Sequence, residues 1–201
     1  MGGTNSKVQP QKKEVITIEQ SEVLKNYKKW LVEWSSMSKG EIIYDSNTDS
    51  KLAKEFYSIT FNKPNLYFIT IDEMGNSFGA YFAKPVDKMD SWIYDEKNFI
   101  FVLNSNNRFS EPTKWNAKVG EQGGIRFYDK DINKLFEVGN GEFWGGMRFG
   151  YYSIADINVK NSFFYNISFR YDGINNTDLN GHNGPNNPFS VDRIIVLQML
   201  N

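Results

Sequence analysis

Cysteine is absent from this sequence of 201 residues, and histidine occurs once, as His182. The lack of cysteine excludes disulfides, thiolate nucleophiles and every zinc site that needs sulfur. A single histidine leaves almost no material for a multi-histidine metal site or a Ser-His-Asp triad. Because His182 lies in the turn-rich run 180–185, NGHNGP, we interpret it as a surface loop residue rather than a catalytic base.

Long apolar runs and excess basic charge are also absent. No run approaches the roughly 18 apolar residues of a membrane span, and the N-terminus has no signal-peptide apolar segment. These features favour a cytoplasmic protein. The net charge of −1 gives no field that would hold a nucleic-acid backbone.

Aromatic residues are abundant, with 16 Phe and 11 Tyr, and they favour β-sheet over a helical bundle. In the stretch 65–82, NLYFITIDEMGNSFGAYF, residues 66–71 are apolar on both faces of a period-two repeat. This pattern predicts a strand covered on both sides. Turn residues at 72–76 and a second strand at 77–82 complete a buried hairpin. Gly79 in the second strand indicates a bulge or a close backbone approach.

Further short strands follow the hairpin, separated by turn signals. Leu52, Ala53 and Phe56 predict a short helix before it, whereas 87–95 and 104–122 have the composition of loops, the second anchored by Trp115. We therefore predict a mainly β (α+β) fold, an antiparallel two-sheet β-sandwich with flanking helices. The remaining predicted strands are 99–103, 125–128, 135–138, 147–154, 163–171 and 189–200.

The N-terminal part divides into a polar flexible arm, residues 1–14, and an amphipathic helix within 15–40, followed by a sandwich domain at 41–201. Thr17 and Gln20 form a capping-box pattern, and Lys39 with Gly40 resembles a helix end. The pattern predicts a helix of about six turns. Its apolar face could pack on its own domain or against a second copy of the helix, and we favour the first because two heptads are short for a coiled coil. Its apolar stripe consists of Val23, Leu24, Tyr27, Trp30, Leu31 and Trp34.

The arm begins with M-G-x-x-x-[ST], the N-myristoylation pattern, with Gly2 as acceptor and Ser6 at the required place. One acyl chain binds membranes marginally, and each lysine near an anionic surface adds about 1 kcal/mol. Lys7, Lys12 and Lys13 would therefore strengthen such an anchor. We predict peripheral membrane association through an acylated Gly2; the alternative is a chance Gly-Gly start.

Two acidic runs resemble the opening of a calcium loop. They lack the glycine at the sixth position and the glutamate at the twelfth that an EF-hand requires. Loop capping is the favoured interpretation. The two acidic runs are Asp45, Asn47 and Asp49, and Asp129, Asp131 and Asn133.

The glycine-dense run 139–146 lacks the Gly-Lys-Ser/Thr end of a phosphate loop, so we interpret it as tight turns around Trp144.

A β-sandwich could also bind or cleave carbohydrate. A glycosidase needs two carboxyl groups about 5 to 9.5 Å apart in a cleft, and the sequence does not pair its acids. The candidates are Glu111, Glu121, Glu137 and Glu142. A carbohydrate-binding module would use exposed aromatic rings to stack on sugars, for which Trp92, Trp115 and Trp144 are the candidates.

An ordered set of segments within 41–201 resembles the TLDc (TBC/LysM-associated) domain family. The family motif matches Asp72, Asn76, Phe78, Gly79 and Tyr81 in the hairpin, and the resemblance assigns these residues a structural role. The sequence departs from the family at Ile195, where an acidic residue is typical, and in a thinner glycine cluster. The other matching segments are 66–69, 99–103, 147–150 and 189–196.

The resemblance implies a β-sandwich without catalytic activity and without a cofactor. It also implies a protein partner, since members of this family are linked to oxidative-stress resistance and to binding the vacuolar proton-pumping ATPase. Some members carry an N-myristoylated start, which fits Gly2. Because the chain has no cysteine, any protection against oxidation would act through a partner.

Overall fold

Two antiparallel β-sheets enclose a core rich in aromatic side chains. The computed structural model describes residues 15–119, 123–129, 134–140, 143–144, 147–148 and 150–201, with the backbone alone at 143–144 and 147–148. Within these residues the helices are α1 (Lys28–Ser35) and α2 (Ala53–Thr60), and 3₁₀ turns occur at Lys25–Tyr27 and Ile167–Phe169. The strands are β1 (Ile16–Thr17), β2 (Lys39–Asp45), β3 (Leu66–Asp72), β4 (Ser77–Phe82), β5 (Ile93–Tyr94), β6 (Phe99–Asn104), β7 (Thr113–Asn116), β8 (Gly124–Phe127), β9 (Lys134–Gly139), β10 (Phe143–Trp144), β11 (Met147–Arg148), β12 (Tyr151–Ala155), β13 (Phe163–Tyr165) and β14 (Val191–Leu200).

The first sheet has seven strands in the order β1-β2-β14-β3-β4-β6-β7, and the second has five in the order β13-β12-β9-β8-β5. Strands β10 and β11 pair with each other. The C-terminal strand β14 lies between β2 and β3 and pairs with both. The predicted mainly β, antiparallel two-sheet sandwich with flanking helices is confirmed.

The predicted hairpin is also confirmed, and β3 is buried on both faces. Leu66 and Phe68 point into the core between the sheets. Tyr67 and Ile69 point the other way, into a second cluster on the outer face of the first sheet. The period-two alternation of a strand explains this division, since each face must have its own apolar cover.

The N-terminal segment before β2 provides the cover of the outer face. Leu24 and Leu31 are fully buried in the outer cluster. The ring of Trp34 lies 5.9 Å from that of Phe101, and the hydroxyl of Tyr67 donates to the carbonyl of Leu31 at 2.8 Å. This segment therefore packs on its own domain, as predicted.

The predicted six-turn helix from Thr17 to Lys39 is wrong in its extent. Thr17 belongs to β1 and pairs with Glu41, and the regular helix α1 begins at Lys28 and ends at Ser35. Before α1 the side chains of Gln20 and Ser21 accept hydrogen bonds from backbone N–H groups in successive turns. These bonds cap two successive turns, at 18–20 and 22–24, that do not continue as a regular helix; the Gln20 bond is the one that a capping box makes.

The predicted helix end at Lys39 and Gly40 is replaced by the start of β2. The left-handed residue that follows α1 is Ser36, with φ 58°. Gly40 is needed for a different reason, because a Cβ atom there would overlap the side chain of Ile18. The close approach of β1 and the first turn to the sheet therefore explains this glycine.

Helix α2 joins the two sheets, and the predicted short helix at Leu52–Phe56 is confirmed. Phe56 is fully buried. Its ring contacts Phe68 of the first sheet, with a centroid distance of 6.2 Å, and stacks on Phe136 of the second sheet at 5.9 Å. Burying a ring of this size contributes roughly 1.5 to 3 kcal/mol.

Several strand boundaries differ from the prediction. The predicted loops at 87–95 and 104–122 contain the short strands β5 and β7. The predicted strand 147–154 is divided at Gly150, which has φ 72°. The predicted strand 163–171 ends at Tyr165 because Asn166 adopts a left-handed conformation before a 3₁₀ turn.

Replacing Trp34 tests whether the N-terminal segment is part of the fold. We expect Trp34→Ala to lower the free energy of unfolding by about 2 to 4 kcal/mol, because its ring packs against Phe99 and Phe101. Trp30→Ala is the matched control, since Trp30 lies outside the outer cluster and should cost less than about 1 kcal/mol. Urea unfolding measures both. Equal effects would contradict the described packing.

Candidate functional site

Asp72 is a buried carboxylate at the end of β3, with 1% of its surface exposed. Its Oδ1 accepts hydrogen bonds from the backbone N–H groups of Met74 and Asn76, at 3.0 and 2.9 Å. Its Oδ2 accepts from the side-chain amides of Asn76 and Asn180, at 2.8 and 3.0 Å. A buried charge is tolerated where several donors satisfy it, so the hairpin turn and the distant residue Asn180 are fixed to the same carboxylate.

Asn76 extends this network to a third loop. Its Oδ1 accepts hydrogen bonds from the side-chain amide of Asn106 at 3.0 Å and from Nη2 of Arg108 at 2.9 Å. The same Nη2 donates to the carbonyl of Leu179 at 2.9 Å. Burial lowers the pKa of Arg108, while the negative charge of Asp72 acts in the opposite direction. The guanidinium therefore ties together three segments that are distant in sequence.

We name the resulting surface the loop end: the turn 73–75 with the loops 105–110 and 178–182. Met74 at the tip of the turn is 65% exposed. Asn106 and Asn107 adopt left-handed conformations, with φ 48° and 70°, which asparagine tolerates better than most residues. Loops held this firmly by a β scaffold are typical of binding surfaces.

The other three motif residues of the hairpin are Phe78, Gly79 and Tyr81, and they contribute to the packing of the two apolar clusters. Phe78 packs in the core between the sheets, 5.3 Å from the ring of Phe164. A Cβ atom at Gly79 would overlap the carbonyl oxygen of Phe68 and crowd the ring of Phe101, so the close backbone approach expected at Gly79 is present. Tyr81 stacks on Phe99 in the outer cluster, at 5.1 Å.

The family resemblance points to Asp72 and Asn76 as motif residues, whereas neither the resemblance nor the sequence pattern indicates Arg108, Asn106 and Asn180. The Asn-rich composition of 104–108 and 180–187 was the available signal. Asparagine marks turns and left-handed positions in general. It does not indicate which distant loop its side chain will reach.

The first calcium-like run caps a turn. Asp45 receives a bidentate interaction from Arg193, at 2.9 and 2.6 Å, and its Oδ1 accepts from the N–H of Asn47. Asp49 accepts from the N–H of Asp45 at 2.8 Å. These bonds agree with loop capping. Of the second run, Asp131 and Asn133 lie outside the described residues, and the described residues contain no group of three His, Asp or Glu side chains placed to hold a metal ion.

The candidate acids for glycoside hydrolysis are not brought together where they are described. Glu137 is 2% exposed and pairs with Lys134 at 2.9 Å. Glu111 is exposed in the loop before β7. Glu121 and Glu142 lie outside the described residues.

The candidates for sugar stacking give little support to a carbohydrate site. Trp115 is 7% exposed and packs against Phe109. Trp92 is half-buried, and the side chain of Trp144 is not described. His182 lies in a loop, with Nδ1 3.1 Å from the carbonyl oxygen of Asn187.

The lipidation candidate Gly2 lies outside the described residues, as do Lys7, Lys12 and Lys13, and of the run 139–146 only 139–140 and 143–144 are described. No helix in the described part of the chain has the length and apolar character needed to cross a membrane.

No family model matches this sequence, and no curated protein matches it. The resemblance to the TLDc domain therefore stays a prediction.

Replacing Asp72 tests whether the network fixes the loop end. In Asp72→Asn an amide group would face the donating amides of Asn76 and Asn180, and we expect a loss of about 2 to 4 kcal/mol in the free energy of unfolding. Asp87→Asn, at an exposed loop position, is the control and should stay within about 0.5 kcal/mol. Urea unfolding measures both. An Asp72→Asn protein as stable as the control would contradict the role of the network.

Buried tyrosines predict a loss of stability at alkaline pH. Burial raises the pKa of Tyr44 and Tyr81 from 10.0 to about 12, so the folded protein holds these two protons more tightly than the unfolded chain. The resulting stability is fully present below pH 10 and is lost between about pH 10 and 12.

Urea unfolding across this pH range, with tyrosinate absorbance as a second measurement, checks this expectation. The double variant Tyr44→Phe/Tyr81→Phe should show a shallower decline, because phenylalanine has no proton to lose. A wild-type protein whose stability is level from pH 10 to 12 would contradict the expectation.

Proposed function

We propose that this chain is a cytosolic, non-catalytic TLDc-type protein-interaction module that docks a partner through the loop end. The observation that carries the proposal is the buried network around Asp72 and Asn76, two of the residues on which the family resemblance rests. Through Arg108 the network fixes three loops in one arrangement. A pre-organised surface loses little conformational entropy when a partner binds.

The chemistry at the loop end supports binding more than catalysis. The charged groups of Asp72 and Arg108 are engaged in hydrogen bonds within the network. The exposed residues of the loop end include one large apolar side chain, that of Met74, together with the polar side chains of Glu73, Asn106, Asn107, Arg108 and Ser110. Methionine adapts its shape to an apolar partner, and asparagine amides can pair with a partner's backbone.

The family resemblance suggests the partner and the cellular setting. It points to the vacuolar proton-pumping ATPase and to a role in oxidative-stress resistance that acts through that partner. The sequence pattern at Gly2 supports attachment to a membrane by myristoylation, with the lysines of the arm adding attraction to anionic lipid. Acylation would bring the loop end close to a membrane-bound partner and raise its effective concentration there.

Capture by the immobilised full chain tests this function. From eukaryotic lysate we expect the chain to retain proton-pump subunits, detected by immunoblot. Met74→Asp should reduce the amount retained about tenfold, equivalent to roughly 1.4 kcal/mol.

Val119→Asp is the matched control for this experiment. Val119 is fully exposed, and it follows β7 at the opposite end of the sandwich, since Asn116 pairs with the first residue of β6. This variant should retain the subunits as wild type does. Failure of the wild-type chain to retain any proton-pump subunit would overturn the proposed partner. Equal retention by Met74→Asp would overturn the assignment of the surface.

A further inference from the structure

A groove of about 720 Å³ lies between α2 and the second sheet, away from the loop end. Most of its wall is apolar. Leu52 is 71% exposed and lies beside the other apolar side chains of the wall. Contiguous exposed apolar surface of this kind is typical of a binding groove. The polar residues of the wall are Lys54, Ser58, Asp129, Lys134 and Asp156, and the apolar ones are Leu52, Ala53, Tyr57, Phe61, Met89 and Tyr128.

Charge gives this groove no preference for an acidic or a basic ligand, since two lysines and two aspartates line it. The apolar side chains dominate the side formed by α2 and its flanking residues. Tyr57 is held in place by a hydrogen bond from its hydroxyl to the carbonyl of Leu135, at 2.8 Å, and by stacking on Phe127 at 5.2 Å. The groove therefore offers a fixed apolar wall suited to an uncharged aliphatic ligand.

The N-terminal arm starts beside this groove. Val15, the first described residue, is 50% exposed and lines a smaller groove of about 370 Å³. Ser58 on α2 lines both grooves. The thirteen residue steps from Gly2 to Val15 span at most about 45 Å when extended, which is far more than the width of one helix.

The arm itself is a poor match for an apolar groove, because Met1, Val8 and Pro10 are its apolar residues besides glycine. An acyl chain on Gly2 would supply the missing apolar group. Burying its methylene groups is favourable because it removes apolar surface from water. Of the groups the arm could carry, the acyl chain is the one that fits the wall.

We propose that this groove holds the acyl chain of Gly2 and withdraws it from solution until a membrane competes for it. The inference rests on the acylation included in the proposed function. A single myristoyl chain associates with an apolar phase with a constant of about 10⁴ M⁻¹, and a short tether gives an effective concentration on the order of millimolar. A groove of similar affinity would then hold the chain in about nine molecules of ten.

The test begins with the full chain co-expressed with N-myristoyltransferase. Intact mass reports acylation, and sedimentation with vesicles of phosphatidylcholine and phosphatidylserine reports membrane binding. Ser58→Trp would place an indole in the groove from an exposed helix position. We expect it to raise vesicle binding of the acylated chain about tenfold, since the anchor is no longer withheld.

Ser38→Trp is the matched control, because Ser38 is exposed, lies outside the loop end and lines neither groove; its vesicle binding should equal that of wild type. A second measurement does not depend on a groove variant. The ¹³C-methyl NMR signal of Met89, in the groove wall, should shift between the acylated chain and the unacylated Gly2→Ala chain.

Two outcomes separate the groove assignment from the proposed lipidation. Acylated protein with equal vesicle binding for Ser58→Trp and wild type, and with no shift of Met89, would overturn the groove assignment alone. A chain that stays unacylated with the transferase present would overturn both the groove assignment and the proposed lipidation. Docking of a partner at the loop end would still be judged by capture.

Discussion

A strand with no face turned to water is the constraint on which the rest of this structure depends. Every residue of β3 except Ile71 is buried, so its two faces require two separate covers. The second sheet covers Leu66 and Phe68. The N-terminal segment covers Tyr67 and Ile69. Because β1 also pairs with β2, the residues before Gly40 share one core with the residues after it.

A second constraint follows at the end of the same strand, where a carboxylate is buried. Removing Asp72 from water costs several kcal/mol unless donors surround it. The turn after β3 supplies part of the set, and Asn180 supplies the rest from 108 residues further along the chain. The position of the exposed loops therefore depends on satisfying one buried charge, and the proposed docking surface is held by the same bonds that stabilise the hairpin.

The sequence predicted those elements whose signals are local. The hairpin was found because alternation, turn residues and length all agree between Leu66 and Phe82. The predicted extent of the N-terminal helix is wrong for two reasons. The spacing of the apolar residues from Val23 to Trp34 is compatible with any segment that packs along a sheet. The strand Ile16–Thr17 has two residues and is too short to show a periodic pattern. Strand β7 was not predicted because it is a short edge strand in which a single side chain, that of Trp115, is buried. One buried residue gives no alternating pattern.

Long-range partners could not be predicted in this way. Asp72 and Asn76 could be identified from the hairpin, whereas Arg108 looks like any surface arginine until the fold places it between Asn76 and Leu179. The groove beside α2 could not be predicted either, since Leu52, Met89 and Tyr128 in its wall come from three separate regions of the sequence. Local physics thus determines which strands form, while the surfaces that could bind a partner or an acyl chain depend on how those strands are brought together.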